Sequence, residues 1–585
     1  MTRILPSLLI LIAAAFAGGC STTSATSGPG AVLVPTPPEV KQYSDFLVGR
    51  YAYLTNDPEL AASSARRAAL RAPTDGFLLE RAVTFLLLAG ETEQAISMAN
   101  AGKRRVSELG SVTRLAIASD EFRNGRYKEA RFRLSQGNMD PFNRMIASSM
   151  SAWAAVGEGD TKGAKTHLVE AFIGDNLFDG VNLYMLAFVQ EASGEDEEAL
   201  KLFDAVWTER MRLAIAAEQY SRLLAANGQT EKALSIVRQF REEIGPNPSV
   251  DRIAQAIEAG DTIEQRSLTP KQGASLALYA LGAALLVQTD ADFASAYFEL
   301  ALHINPDFDL ARTMLGNTLD QADRRDEAVT VLENIEADSP FFAAARGQLA
   351  WVLLRMNKDE EALETASDAY DVTMDRDLAI QIGDLNRAIQ NYEAAYEWFN
   401  RVVELDESEG RLDWRSYYAR GLALDALGRW NQAEADFLKS IEISPNQPEV
   451  LNHLGYSWVD RGVHLEKAFK YIQTAVELSP HAGHIVDSLG WAYYRLGRYD
   501  KAVEHLEDAV ALAAGDPTIN DHLGDAYWRS GRHLEAGFQW KHALDVETDE
   551  TRRAVIKAKL KYGLDVAMNP EPPLQTADAM SAGSR

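Results

Sequence analysis

The chain has 585 residues, 46% hydrophobic and 24% charged, a composition that folds rather than staying disordered. Its formal net charge of −27 excludes the basic footprint of a nucleic-acid binder, disfavours anionic lipid, and favours solubility and basic protein partners. The only cysteine, Cys20, excludes a disulfide within the chain.

Residues 1–19 read as a targeting segment. Arg3 supplies the positive charge, and Leu5 to Phe16 is an apolar run shorter than the ~20 residues of a spanning helix. The run ends in Ala17-Gly18-Gly19-Cys20, which resembles a bacterial lipoprotein box, with Ala17 where leucine is usual. The resemblance implies cleavage before Cys20 and acylation of its thiol. An ordinary secretory signal cut near an idle cysteine is the alternative. Ser21 lacks the aspartate that holds such proteins in the inner membrane, so the resemblance implies the outer membrane of a Gram-negative envelope, facing the periplasm. Residues 20–42 are rich in Ser, Thr, Gly and Pro and read as a flexible spacer.

Beyond the spacer the chain repeats. Gly483–Asp516 is a 34-residue unit of two helical patterns. Ile485, Leu489, Ala492, Tyr493 and Leu496 mark one helix face, Gly497-Arg498 a turn, and Val503, Leu506 and Val510 a second face. The close-packing position of the first helix runs Arg50, Val83, Ala118, Ala152, Ala187, Ser221, then Gly282, Gly316, Ala350, Gly383, Gly421, Gly455, Gly490, Gly524. An alanine on the second helix tracks it: Ala62, Ala95, Ala130, Ala164, Ala199, Ala233, then Ala294, Ala328, Ala362, Ala395, Ala433, Ala468, Ala502, Ala536. Arg50 and Val83 at the close-packing position predict looser first hairpins, and Pro306, Pro340, Pro445 and Pro480 are expected to close second helices.

The phase breaks between Ser221 and Gly282, a gap of 61 residues containing Pro246, Pro248 and Pro270. One short helix over 251–259 and a loop predict a junction (249–274) between two arms, 43–248 and 275–550; one shortened repeat in an unbroken spiral is the alternative. Residues 551–568 are helical and basic and read as the polar cap that a last repeat needs, with an acidic-partner dock as the minority reading. Residues 569–585 read as a disordered tail.

Leu489-Gly490, Tyr493 and Ala502 resemble a tetratricopeptide repeat, as do Leu523-Gly524, Tyr527, Ala536 and Ala543 in the next unit. The resemblance implies an all-α, right-handed superhelical solenoid of about 14 helical hairpins. It also implies that first helices line a concave groove. Off the packing stripe, those helices carry Asn452, Tyr456 and Asp460, then His484, Asp487, Trp491 and Tyr494, then Asp521, Asp525 and Trp528. Aromatics beside carboxylates and amides suit recognition of a protein partner; packing of Trp491 and Trp528 between hairpins is the bland alternative.

No catalytic constellation stands out: no phosphate-cradling glycine loop, no paired cysteines, no His-Glu-x-x-His. The chain reads as a non-enzyme without a cofactor or metal. A metal site from His481, His484, Asp487, Asp521, His522 and Asp525 fits no known ligand spacing.

The runs 451–462, 486–510 and 519–544 resemble a proteobacterial family of outer-membrane tetratricopeptide lipoproteins. Its studied pseudomonad member binds and activates a periplasmic carboxyl-terminal processing protease and presents peptidoglycan hydrolases to it. The resemblance implies a membrane-anchored adaptor with a periplasmic serine protease and peptidoglycan hydrolases as partners, attached to the membrane by lipid and binding no nucleic acid. A structural scaffold for an envelope or secretion complex is the other expectation.

Overall fold

The computed structural model describes residues 38–567, apart from 170, 171, 173, 175, 289 and 290. The expected signal peptide, Cys20, the spacer up to residue 37 and the tail from 569 lie outside the described residues. The fold is all-α, a tetratricopeptide-type superhelix built of fourteen helical hairpins among the described residues. The described residues form two compact units, one up to residue 116 and the other from residue 117.

In the first unit, α1 (Pro38–Leu54) pairs with α2 (Pro58–Arg71), and α3 (Gly76–Leu88) with α4 (Thr92–Gly102). The first hairpin corrects one register. Arg50 is exposed, and Gly49 is the residue at the crossing: a Cβ there would stand 3.2 Å from the Ala61 carbonyl oxygen of α2. The turn at Thr55–Asp57 has the same three residues as its counterparts, with Asn56 at φ 57° where Gly497 stands between α26 and α27; the alanine in register is Ala61, so counting back twelve from Ala62 stops one residue short.

From α5 (Ser111–Arg123) the hairpins continue with α6 (Tyr127–Leu134), α7 (Pro141–Glu158) and α8 (Thr161–Val169). Next come α9 (Asn176–Ala192), α10 (Asp196–Thr208), α11 (Ala214–Ala226) and α12 (Thr230–Glu243). A lone helix, α13 (Pro248–Glu258), packs on α11 and α12. Then follow α14 (Pro270–Gln288), α15 (Ala291–Ile304), α16 (Asp309–Gln321), α17 (Arg325–Glu333), α18 (Phe342–Arg355) and α19 (Asp359–Thr373). The series continues with α20 (Arg376–Ala388), α21 (Tyr392–Ser408), α22 (Trp414–Ala426), α23 (Trp430–Ile443), α24 (Pro448–Arg461) and α25 (Leu465–Leu478). It ends with α26 (Gly483–Arg495), α27 (Tyr499–Leu512), α28 (Pro517–Arg529), α29 (His533–Val546), α30 (Glu550–Tyr562) and the short α31 (Leu564–Ala567).

All fourteen phased alanines of the second helices have no exposed surface. Opposite them the first-helix glycines leave room for a partner side chain. A Cβ on Gly490 would stand 2.6 Å from Leu506 Cγ, on Gly421 2.7 Å from Phe437, and on Gly524 2.4 Å from Trp540. The described turns inside the hairpins carry a left-handed residue. Gly497 supplies it with φ 72°, and Gln390 adopts φ 63° at the matching place. Helix starts are capped: Asp516 Oδ1 accepts from the backbone N–H of Thr518 and Ile519, with Pro517 at the first helical position. Pro306, Pro445 and Pro480 follow the ends of α15, α23 and α25, but Pro340 lies seven residues beyond α17 and leads into α18 instead.

Neighbouring first helices are tied near their C-terminal ends by a ladder of ion pairs. Arg355 pairs with Asp320, Arg461 with Asp425 at 2.8 Å, and Arg495 with Asp460 at 2.7 Å; Arg529 makes the corresponding pair with Asp565 of the terminal α31.

Past α13 the chain runs without helix to residue 269 and then lays α14 against the first helices α7 and α9. Gly273 sits on the fully buried Trp153 indole, and the Tyr297 hydroxyl donates to Asn143 Oδ1 at 3.1 Å. Gln219 donates to the Arg266 carbonyl, Gln265 to Asp196, and Lys271 to the Arg123 carbonyl, each at 2.8 Å. Buried side chains lie all round α14 — Ala274, Ser275, Leu276, Ala277, Leu278 and Leu281 — as a helix enclosed between two layers requires.

Candidate functional site

The first helices α24, α26 and α28 lie side by side and present the groove-facing residues. Equivalent positions fall 34 or 35 residues apart, so Asn452, Asp487 and Asp521 form one row, and Tyr456, Trp491 and Asp525 the next. These rows place the sequence candidates on one surface, but their side chains divide into three groups.

The first is an aromatic stack. Trp491 lies flat between Tyr494, at 4.6 Å between ring centres, and His522, at 4.1 Å. Beneath it His522 Nδ1 is 3.0 Å from both carboxylate oxygens of Asp487, which is 6% exposed. Burial works against the His522 charge, yet Asp487 outweighs it and holds the imidazole above its ordinary value. Tyr456 is half-buried nearby, and burial, reinforced by Asp460 and Asp487, pushes its hydroxyl up to about 12. The Asn452 Oδ1 and the Trp491 indole N–H are both buried and have no hydrogen-bond partner among the described residues. They form an acceptor and a donor on adjacent helices, the complement of a peptide's N–H and C=O.

The second group is sealed by the chain itself. Asp525 is 3% exposed; its Oδ1 accepts from the Trp540 indole at 2.9 Å, and its Oδ2 from Lys559 Nζ at 2.9 Å. Asp521 accepts from the same ammonium at 2.7 Å. Burial disfavours the Lys559 charge, but Asp525 and Asp521 more than compensate and keep it above its ordinary value. Trp528 donates to Asp565 at 3.0 Å and packs edge-on to His533. These three side chains fasten α30 and α31 to the last hairpin. The third group is open: His484 is exposed, and exposed Asp460 is held only by Arg495. Among the described residues no group of three His, Cys, Asp or Glu is placed to hold a metal ion.

Sequence reasoning left His522 out of the groove. No repeated spacing marks it: His453 also reaches an aspartate one repeat back, Asp425 at 3.2 Å, but 28 residues away rather than the 35 that separate His522 from Asp487. Lys559 was read with the other cations of the cap, and nothing in its own helix marks it as buried.

The repeated helical hairpins give the chain a fold of the tetratricopeptide type. A tetratricopeptide-repeat model matches residues 490–531, and a domain of unknown function (DUF3856) matches residues 333–449. A TPR repeat-containing protein of Pseudomonas aeruginosa is 25% identical over 147 residues, which is 25% of this chain and 25% of that one. Solved structures with similarity include the APC/C hetero-tetramer Cut9–Hcn1, at 14% identity, covering 90% of this chain and 98% of that chain, with a TM-score of 0.38. Pseudomonas aeruginosa PilF is 18% identical over 32% of this chain and 82% of its own, with a TM-score of 0.28.

Proposed function

We propose that the chain is a non-enzymatic adaptor of the bacterial envelope, anchored by lipid on Cys20 in the outer membrane, that holds a periplasmic serine processing protease beside its peptidoglycan-hydrolase substrates. The observation that carries the reading is the α24–α26–α28 surface. There a Tyr494–Trp491–His522 stack borders the unpartnered Asn452 acceptor and Trp491 donor. Aromatic anchors beside unsatisfied polar atoms favour an extended peptide or loop of a protein partner. The net charge of −27 complements basic hydrolases. Holding two proteins on one scaffold raises their effective concentration without a catalytic group in the scaffold.

The test is crosslinking capture from native membranes with the wild-type chain and with Trp491→Ala/Tyr494→Ala. The wild type should recover a processing protease and a cell-wall hydrolase, and the variant should lose them while its melting curve holds. Recovery of neither by the wild type overturns the adaptor reading. Stoichiometric recovery of a secretion or envelope complex, with hydrolase turnover unchanged on deletion, would favour a structural scaffold instead.

A further inference from the structure

The first unit departs from the rest of the chain in charge and in surface. Residues 38–116 carry ten Lys and Arg against nine Asp and Glu, whereas residues 117–585 carry 47 against 76. On α1, Tyr43, Leu47, Tyr51 and Leu54 are between 60% and 70% exposed. At 100° per residue these four fall within an arc of roughly 80°. Arg50 is exposed and borders this arc, roughly 20° beyond its edge. Phe46 carries the stripe to α3, meeting Phe77 edge-on at 5.5 Å; Phe77 is itself exposed, with the Arg81 guanidinium 5.4 Å from its ring. No acidic residue falls in the arc: Asp45 lies on the opposite side of the helix, paired with Arg67 and Arg71 of α2.

We propose that the Tyr43–Leu47–Tyr51–Leu54 face of α1 is a membrane-contact surface that seats in the headgroup layer of an anionic bilayer. Tyrosine and leucine on one side of a helix, bordered by arginine, are the composition of an interfacial helix: ring and alkyl groups enter the acyl boundary while hydroxyl and guanidinium stay at the phosphates. The acidic remainder of the chain is repelled by such a surface; this unit is not. The geometry also fits an anchor. Cys20 precedes Pro38 by 18 residues, a tether of at most about 60 Å when extended. That reach rests on the lipid-anchor reading, whereas the composition of the face does not. No helix among the described residues is long and apolar enough to cross a membrane, so contact here is along the surface.

The experiment uses the chain from Ser21 onward, which keeps every described residue and contains no cysteine. Single cysteines replace Tyr51 or, as a control, exposed Leu512 of α27, and are labelled with an environment-sensitive fluorophore. Vesicles of phosphatidylethanolamine and phosphatidylglycerol should shift the emission at position 51 to the blue and leave position 512 unchanged. Leu47→Glu/Leu54→Glu should lower vesicle co-sedimentation at least tenfold with an unchanged melting curve. Emission at position 51 that ignores vesicles overturns the proposal. So does a label already shielded in vesicle-free buffer, which would assign the face to residues 31–34 or to a second copy. Because no acyl chain is present, failure here leaves the Cys20 anchor standing. That anchor is tested separately by whether Cys20→Ala releases the protein from membranes.

Discussion

Gly273 of α14 lies against the indole of Trp153 on α7, so closely that a Cβ there would stand 2.0 Å from the ring atoms. The contact pins a helix from beyond the junction onto a first helix three hairpins earlier. Gly273→Leu has no space to enter, because Trp153 is fully buried and cannot swing clear. The expected cost is about 1–3 kcal/mol, concentrated on α14 and the 259–269 segment. Hydrogen exchange should show faster opening of α14, with α24–α28 amides unchanged. Uniform loss of protection would mean that Gly273 is not a local lock.

Lys559 makes a second long-range tie, from α30 to Asp521 and Asp525 of α28. Lys559→Met leaves two carboxylates facing each other, one of them buried. Breaking one side of such a buried pair costs about 3–5 kcal/mol. The double variant Lys559→Met/Asp525→Asn should recover most of that loss, since no unpaired charge then remains at position 525. Thermal melts of both variants check this, and equal melting temperatures would remove the ion cluster from the account of the cap.

These two ties mark the limit of what the sequence reveals. The repeat was legible because period survives substitution: fourteen alanines in phase proved to be fourteen residues with no exposed surface. A second buried alanine, Ala62 beside Ala61, was enough to hide Gly49 behind Arg50. The apolar run of α14 announced burial but not the partner, because its contacts to α7 span more than a hundred residues. In the candidate site the rows of Tyr456, Trp491 and Asp525 followed from spacing. That Asp525 is sealed depends on Lys559, 34 residues further on.

Gly490 tests the crossing of the repeat that shows the period most clearly. Its missing Cβ leaves space filled by Leu506 Cγ at 2.6 Å, and the Leu506 backbone nitrogen is only 3.2 Å away. A side chain can rotate, but backbone cannot. Gly490→Leu should therefore force α26 and α27 apart and cost about 1–3 kcal/mol in a denaturant melt. It should also tilt Trp491, the next residue, and weaken partner capture together with stability. Gly537→Leu is the control, since a Cβ there meets nothing within 4 Å. Equal effects from the two substitutions would show that position 490 is not a tight crossing.

Glu191, at the C-terminal end of α9, predicts how the packing around the junction responds to pH. Its Oε1 accepts from Gln219 at 2.8 Å, and the same amide also donates to the Arg266 carbonyl, while Oε2 is buried without a partner. Burial pushes the carboxyl up to about 7 from an ordinary 4.5; Asp196 adds to the rise, and Gln219 and Arg222 oppose it. A carboxyl raised on folding binds its proton more tightly in the native state, so stability falls as pH rises through the interval. The penalty is absent below about pH 4.5 and complete above about pH 7, with a full size on the order of 3 kcal/mol. Glu191→Gln keeps the hydrogen bond from Gln219 and has no charge to bury. Exchange of α9 and α11 amides, corrected for intrinsic rate, should quicken between pH 5 and pH 8 in the wild type and stay level in the variant. A wild-type profile as flat as the variant's would place Glu191 in contact with solvent and remove it from the junction's stability.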